Sequence, residues 1–491
     1  MKKSLCVLTA LFFTTLNAQI INVKTYPVLS DERMFSFPSK YQAMGNLDFV
    51  LSDELRNPFV NPAALVTMSR VAVFFLPRNS SWSYERESNM SSSPDQTSKS
   101  LNRMSASNFS TQVSAVSSSG NFALSTVMNY QRMSSGDRQE FTSTGGSSPV
   151  DDASFGATNT PIQVGAALKI PLLKMSIGAQ YSFVDVNGID GIQFLYPNSK
   201  SISVKGKASD RRLGVLGDFF GLGSYEALAG IARLTTAQTA LYEGGRPSVE
   251  NNDENNTKYL QLNYRFPLSE RMQAGLKAVA NWKDLPQLPN YPIAGIPRDP
   301  GNITAYNFGA GLSWRTSSSA LLALEYLYEP IQTNTWVLAQ ADRDLGNGRI
   351  FPKGAREQEN NYTFSNHIIR GGVEIAPEDW LTLRFGSEIH SFRYDYHNKN
   401  FVWNTEQTKT PQTLWTEVRM SGSATVLWSN FEVSYLIESM QGRGLLEQRF
   451  FWPWINVRAL ASDFLLVPND WLTVRPIPVV SHQLSLAYYL F

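Results

Sequence analysis

Cysteine is all but missing from this chain of 491 residues, and the one present, Cys6, lies in an N-terminal stretch that reads as a secretory signal. Lys2 and Lys3 form its basic start, Leu5 to Leu16 its apolar run, and cleavage is expected after Ala18. Cys6 opens the apolar run rather than following it, which argues against a lipid-modified cysteine. From residue 19 onward, disulfides and thiol chemistry are excluded. A second absence is of long apolar runs, because nothing beyond the signal is long and apolar enough for a transmembrane helix. A third is of charge of one sign: 43 Lys and Arg against 42 Asp and Glu offer no basic field for nucleic acid.

Histidine is also scarce. His367, His390, His397 and His482 are scattered, and the seven-residue step from His390 to His397 suits no metal site on a strand or helix. Ser387 lies near His390, but opposite parity along a strand sends the two side chains to opposite faces. The "GAG" at Gly309–Gly311 falls within an alternating segment, so it does not form a phosphate-cradling loop. "ENNDENNTK" at 250–258 reads as a solvated outer loop without ordered calcium-ligand spacing. The reading is therefore of a chain that is not an enzyme and calls for no cofactor or metal.

What is present is a rhythm of short alternating segments, tight turns and long polar stretches, clearest from Phe109 to Phe491. Met272, Ala274, Leu276, Ala278, Ala280 and Trp282 are apolar, while Arg271, Gln273, Gly275, Lys277, Asn281 and Lys283 alternate with them. Tyr306 to Trp314, Ile162 to Ile170, Ile369 to Ile375 and Leu381 to His390 repeat the pattern. Period two puts one set outward and the other inward. Short turns are expected at Ser117–Asn121, Pro171–Lys174, Pro267–Glu270, Arg315–Ser318, Ala376–Asp379 and near Trp428–Asn430. Long loops are expected at Ser134–Asn159, Asp284–Thr304, Glu329–Asn361 and His397–Gln412.

With no helix to span a bilayer, only a closed barrel pairs every backbone polar group there. The expectation is an all-β fold: a transmembrane antiparallel β-barrel of about 14–16 strands, with both chain ends on the periplasmic side. Residues 1–18 would be the signal peptide, 19–68 an N-terminal plug, and 69–491 an outer-membrane barrel whose first clear strand is Arg70–Leu76. The last strand departs from the pattern. Phe491 and Tyr489 end it as outer-membrane barrels commonly end, yet Leu484, Leu486, Tyr488 and Leu490 make its other face apolar too. A register-shifting bulge or packing of the lumen side against a plug would each account for this.

Between signal and barrel, "YQAMGNLDFVLSDELRNPFVNPAALVTM" is crowded with Asn-Pro turn formers. Pro fits a first helical position and Asn caps it, at Asn57-Pro58 and again at Asn61-Pro62. Leu47, Phe49, Val50, Leu55 and Phe59 need burial, for which Gly165, Gly309 and Gly311 would leave room inside a barrel. Turn chemistry alone could also explain Asn61 and Pro62. The segment resembles the N-terminal segment of the FadL family of hydrophobic-compound channels, and of the related secretion barrel called PorV. The resemblance rests on Met44-Gly45, Ser52-Asp53-Glu54 and Asn61-Pro62-Ala63-Ala64-Leu65, with Ala64 where that family more often has glycine.

The resemblance implies a plug, or hatch, with Gly45, Asp53, Glu54, Asn57, Pro58, Asn61, Pro62 and Ala63 as gating residues. It implies passive uptake of a hydrophobic small molecule or lipid, such as a long-chain fatty acid, across the cell outer membrane. Outer-membrane lipids and the barrel-assembly machinery would be its other partners. A PorV-like barrel would instead bind a secreted protein, and a structural barrel would carry nothing. The aromatic stretch "RFFWPWINVRALASDFLLVPNDWL" before the last strand fits either of the first two. Arg265, Arg271, Lys277, Glu325, Arg370, Glu374, Arg384, Glu388, Glu417, Arg419 and Glu432 carry inward parity. Pairing across neighbouring strands is the first expectation for them, and orientation of a substrate carboxylate the second.

Overall fold

The computed structural model describes residues 35–490, apart from 36, 69–70, 94–95, 144–145, 148–150, 191–198, 220, 243–248, 286–300, 340, 347, 410–414 and 449–471. The expected signal peptide and the beginning of the expected plug thus lie outside the described residues. Twenty strand segments form a single sheet, and segments that continue along one line combine into sixteen barrel strands. In chain order, β1 is Val71–Ser93, β2 Gln96–Ser118 and β3 Phe122–Ser143. β4 joins Asp151–Asn159 to Ile162–Ile170; β5 is Met175–Asp190, β6 Ser199–Asp218 and β7 Ser224–Tyr242. β8 is Val249–Pro267, β9 Met272–Leu285, β10 Gly301–Ser317 and β11 Ala320–Leu338. β12 is Arg356–Glu378, and β13 joins Leu381–Phe392 to Tyr394–Asn400. β14 joins Thr405–Lys409 to Trp415–Trp428; β15 is Phe431–Gln448 and β16 Leu472–Leu490.

Every neighbouring pair is antiparallel, and β16 returns to β1 with Val71 opposite Leu490 and Trp82 opposite Val479, which closes the barrel. An even strand count leaves both ends of the barrel on one side. The parity reading holds strand by strand. Outward-facing Leu276, Phe308, Leu312, Leu324, Ile369, Phe385 and Ile389 are exposed, whereas inward-facing Gln273, Lys277, Asn281, Asn307, Glu325 and Glu388 are covered. Aromatics rim this apolar belt: Trp314, Trp380, Trp428 and Phe431 near the short turns, and Trp282, Tyr130, Phe183 and Tyr328 toward the other end. Met272 and Trp282 bracket one crossing of about 9–11 residues, the span a tilted strand needs for a bilayer.

The short turns fall within three residues of the expected positions, and a further one between Asp218 and Ser224 carries Gly221 and Gly223 at positive φ. The expected long loops are corrected. Ser134–Ser143 and Asp151–Asn159 pair as strand, as do Glu329–Leu338 and Arg356–Asn361, and residues 250–258 of "ENNDENNTK" belong to β8. The first strand likewise runs far past Leu76, with Ser93 still paired to Gln96. Beyond the bilayer both faces of a hairpin meet water, so apolar alternation disappears while backbone pairing continues. Polarity in these segments marks where the membrane ends, not where the ladder ends.

Candidate functional site

The lumen is occupied. Residues 37–68 lie against the inward side chains of strands all round the barrel, through two short 3₁₀ turns, Gln42–Met44 and Pro62–Thr67, and one helical turn, α1, Asn57–Val60. Asp53 shapes the approach to α1: its carboxylate accepts the backbone N–H groups of Leu55 (3.1 Å) and Arg56 (3.2 Å) and the hydroxyl of Ser39 (2.5 Å). Asn57, expected as a cap, is instead the first helical residue, and its amide donates to Glu226 (3.3 Å). Asn61 does cap. Its Oδ1 accepts from the Ala63 N–H (3.1 Å), while its Nδ2 donates to the Val215 carbonyl on β6 (3.3 Å). Pro58, Pro62 and Ala63 are buried, and Glu54 is exposed in an ion pair with Lys40 (3.0 Å).

Gly45 adopts φ +75°, and its N–H donates to Ser421 Oγ (3.3 Å). A Cβ there would collide with the backbone carbonyls of Gly371 and Ser387, so only glycine lets the segment lie flat on this part of the wall. Gly309 and Gly311 admit Phe49 and Val50, and Gly165 faces Leu65.

Charged side chains of the wall grip the backbone of this segment. Glu325 is completely buried, and its carboxylate accepts the consecutive N–H groups of Asp48 (3.1 Å), Phe49 (2.8 Å) and Val50 (2.8 Å). Arg265 donates to the Phe49 carbonyl (2.9 Å) and pairs with Glu226 (2.5 Å); Gln273 donates to the Val50 carbonyl (3.1 Å). Asp48 pairs with Lys277, with Arg56 (3.0 Å) and more distantly with Arg370 (4.0 Å). Burial alone would push the Asp48 carboxyl up, but these three cations outweigh it and hold the group well below the usual carboxylate range.

The expectation of cross-strand pairing is met by Arg370–Glu388 (2.6 Å) and Arg384–Glu374 (2.8 Å), both register partners. Arg419 sits beside Glu438 (4.0 Å), Glu417 lies opposite His390 in the register, and Glu432 accepts from the Tyr489 hydroxyl (2.9 Å). Arg271 is a correction. It falls in the exposed turn before β9, because that turn ends one residue later than expected.

A different wall faces the other side of the segment. On β2 to β5 the described inward side chains, apart from Lys169 at the turn end of β4, are uncharged, from Asn108 and Ser110 through Gln131, Asn159 and Gln163 to Gln180 and Ser182. Here Leu55, Phe59 and Leu65 pack on Phe74, Leu76, Val116, Val127, Ala123 and Ala167. Phe59 stacks on Phe37 (5.3 Å between ring centroids) and meets Phe74 edge-on (5.7 Å). Phe74 meets Tyr489 in turn (6.3 Å), which explains the doubly apolar last strand. Its register with β1 is unbroken, and Tyr489 turns inward onto this cluster.

Sequence reading passed over Asp48, Arg56, Glu226 and Glu438, which hold the segment or its partners. The signal was there for one of them: Asp48 is the lone acid inside the apolar "LDFVL". Residues 449–471, most of the aromatic stretch before β16, lie outside the described residues.

The sequence matches no protein-family model and no curated protein. In backbone trace the chain is similar to the toluene transporter TbuX of Ralstonia pickettii, with 11% identity, 92% of this chain and 97% of that one covered, and a TM-score of 0.35. It is similar to the toluene transporter TodX of Pseudomonas putida, with 12% identity, coverages of 91% and 96%, and a TM-score of 0.37. A FadL homologue of Pseudomonas aeruginosa gives 10% identity, coverages of 93% and 99%, and a TM-score of 0.36. Likeness at this distance assigns no substrate, so function is argued below from the residues.

Proposed function

We propose that this protein is an outer-membrane channel for passive uptake of hydrophobic small molecules, long-chain fatty acids among them, with Gln42–Thr67 as its plug. The observation that carries this reading is the apolar cluster inside the lumen. Barrel interiors are ordinarily polar, whereas here Leu55, Phe59 and Leu65 meet Phe74, Leu76, Val116 and Val127 well inside the wall. That surface offers an apolar molecule somewhere to partition between water and membrane. The plug residues block free diffusion of ions and sugars, so passage requires the segment to shift while the barrel stays intact.

The test is deletion of residues 42–67 with the signal retained. The expected product is an inserted barrel, still heat-modifiable on a gel, with larger single-channel conductance and loss of saturable fatty-acid uptake into proteoliposomes. Unchanged conductance in the deletion variant would remove the plug from this reading. Absence of any hydrophobic uptake by the intact protein would remove the channel.

A further inference from the structure

The uncharged wall holds polar groups that the plug does not use. Gln131 on β3 is fully buried, and neither its Oε1 nor its Nε2 has a hydrogen-bond partner. Asn108 Oδ1 on β2, more than nine-tenths buried, is also without a partner. The register sets Gln131 directly between Ser110 and Asn159, with Asn108 two residues from Ser110 on the same face of β2. Buried polar groups are ordinarily paired, so a side chain with both ends free is costly unless something comes to meet it. Because both ends of Gln131 are open, the conclusion does not depend on which end is drawn as oxygen.

We propose that Gln131 and Asn108 form a subsite for the uncharged hydrogen-bonding group of an otherwise apolar molecule, a carboxamide or hydroxyl and not a carboxylate. This rests on the channel reading and refines its substrate class, ranking neutral amides and alcohols above the fatty-acid carboxylates, which would bind through their apolar chains alone. Three features select the class. Gln131 offers a donor and an acceptor side by side, which matches a group that itself has both. A carboxylate could accept from Nε2 but would face the lone pairs of Gln131 Oε1 and Asn108 Oδ1. Among the described residues, the cation bordering the subsite is Arg78, opposite Ser110, and it is turned to Glu438 (3.2 Å) and Ser481 (3.1 Å). Beside the amides, Phe74, Leu76 and Phe59 supply the apolar surface for the rest of the molecule.

The experiment measures binding to intact purified protein of three probes of equal chain length: a primary carboxamide, the carboxylate and the alkane. The carboxamide should bind about tenfold more tightly than either of the others, the scale of one or two net hydrogen bonds. Gln131→Met, which keeps the length and removes both polar ends, should erase that preference and leave alkane affinity unchanged. Asn108→Ala serves the same purpose should the first variant fail to assemble, with a smaller loss of preference expected. Tightest binding of the carboxylate, equal binding of carboxamide and alkane, or a preference that survives both substitutions overturns the subsite and leaves the channel standing. Binding of none of the three overturns both.

Discussion

From β6 round to β1 the lumen presents Arg212, Glu226, Arg265, Lys277, Glu325, Arg370, Glu388 and Glu438, whereas the described part of β2 to β5, apart from Lys169 at its turn end, presents amides, hydroxyls and small apolar side chains. The same short segment is held by both, in different ways. On the charged side Glu325, Arg265 and Gln273 bind its backbone, so hold depends on the path of the chain more than on its side chains. On the uncharged side Phe59 and Leu65 fill an apolar recess, so hold depends on shape. Buried charges are expensive to leave unpaired, and displacing the segment would expose such a set together. Apolar contacts carry no comparable threshold and can be exchanged for another apolar molecule. The charged wall therefore fixes where the segment sits and, on the proposed channel reading, the uncharged wall is where a hydrophobic substrate would compete with it.

The largest expected effect breaks the charged side. Glu325→Leu leaves three consecutive N–H groups without an acceptor and takes one carboxylate from beside Arg370. Removing one member of a buried charged set costs about 3–5 kcal/mol. Amide exchange over residues 42–67 should accelerate accordingly, with higher resting conductance. Glu325→Gln, which retains one acceptor oxygen, should fall between it and wild type. Exchange no faster in Glu325→Leu would mean that the charged wall does not hold the segment.

Leu65→Ala is the matching change on the uncharged side. Leu65 is fully buried among Ala and Phe side chains, and its truncation should cost about 2–5 kcal/mol in the same exchange measurement. The two walls contact different parts of the segment, so the double variant should equal the sum of the singles within about 0.5 kcal/mol. Coupling well beyond that would merge the two walls into one cooperative unit and undo the contrast drawn above.

Sequence reading reached the barrel because a lipid-facing strand must alternate, and Met272 to Trp282 does so over a full crossing. It reached the burial of Leu47, Phe49, Val50, Leu55 and Phe59 because those side chains had no lipid face to go to. It could not place the strand ends beyond the belt, since Arg356–Asn361 continues the ladder with polar side chains on both faces and leaves no apolar period. Nor could it pair Asp48 with Lys277 or Glu325 with three N–H groups, because those contacts join residues more than 200 positions apart. Parity says which way a charge points and is silent on what it meets. Arg271 shows the limit in miniature: its parity is inward, yet a one-residue extension of the turn places it in solvent.

A smaller effect is expected where the two walls meet, at Asn61. Its cap on the Pro62–Thr67 turn and its bond to Val215 both vanish in Asn61→Ala, at a cost of about 0.5–2 kcal/mol on the scale of helix caps. The Gly214 backbone lies close under this side chain, and the shorter Asn61→Ser should keep a capping oxygen and lose only the Val215 bond. Amide exchange confined to residues 61–68 is the expected signature. Acceleration spread over residues 42–56 as well would show that Asn61 supports both walls and not the junction alone.

Acid should separate the walls with the least disturbance of all. Asp48 faces Lys277, Arg56 and Arg370, with Glu325 close by through the Asp48 N–H, and its carboxyl is held below the ordinary value. A group whose folded-state value is depressed gives stability that is fully present above the unfolded value, and that stability disappears as pH falls through the folded one. The difference in plug exchange between wild type and Asp48→Asn should therefore be constant from about pH 8 to about pH 5 and shrink only below about pH 4. Leu65→Ala, on a wall without titrating partners among the described residues, should differ from wild type by the same amount throughout. If the Asp48→Asn difference already fades between about pH 7 and about pH 5, the aspartate is not anchored by those cations. The charged wall would then owe its grip to Glu325 and Arg265 alone.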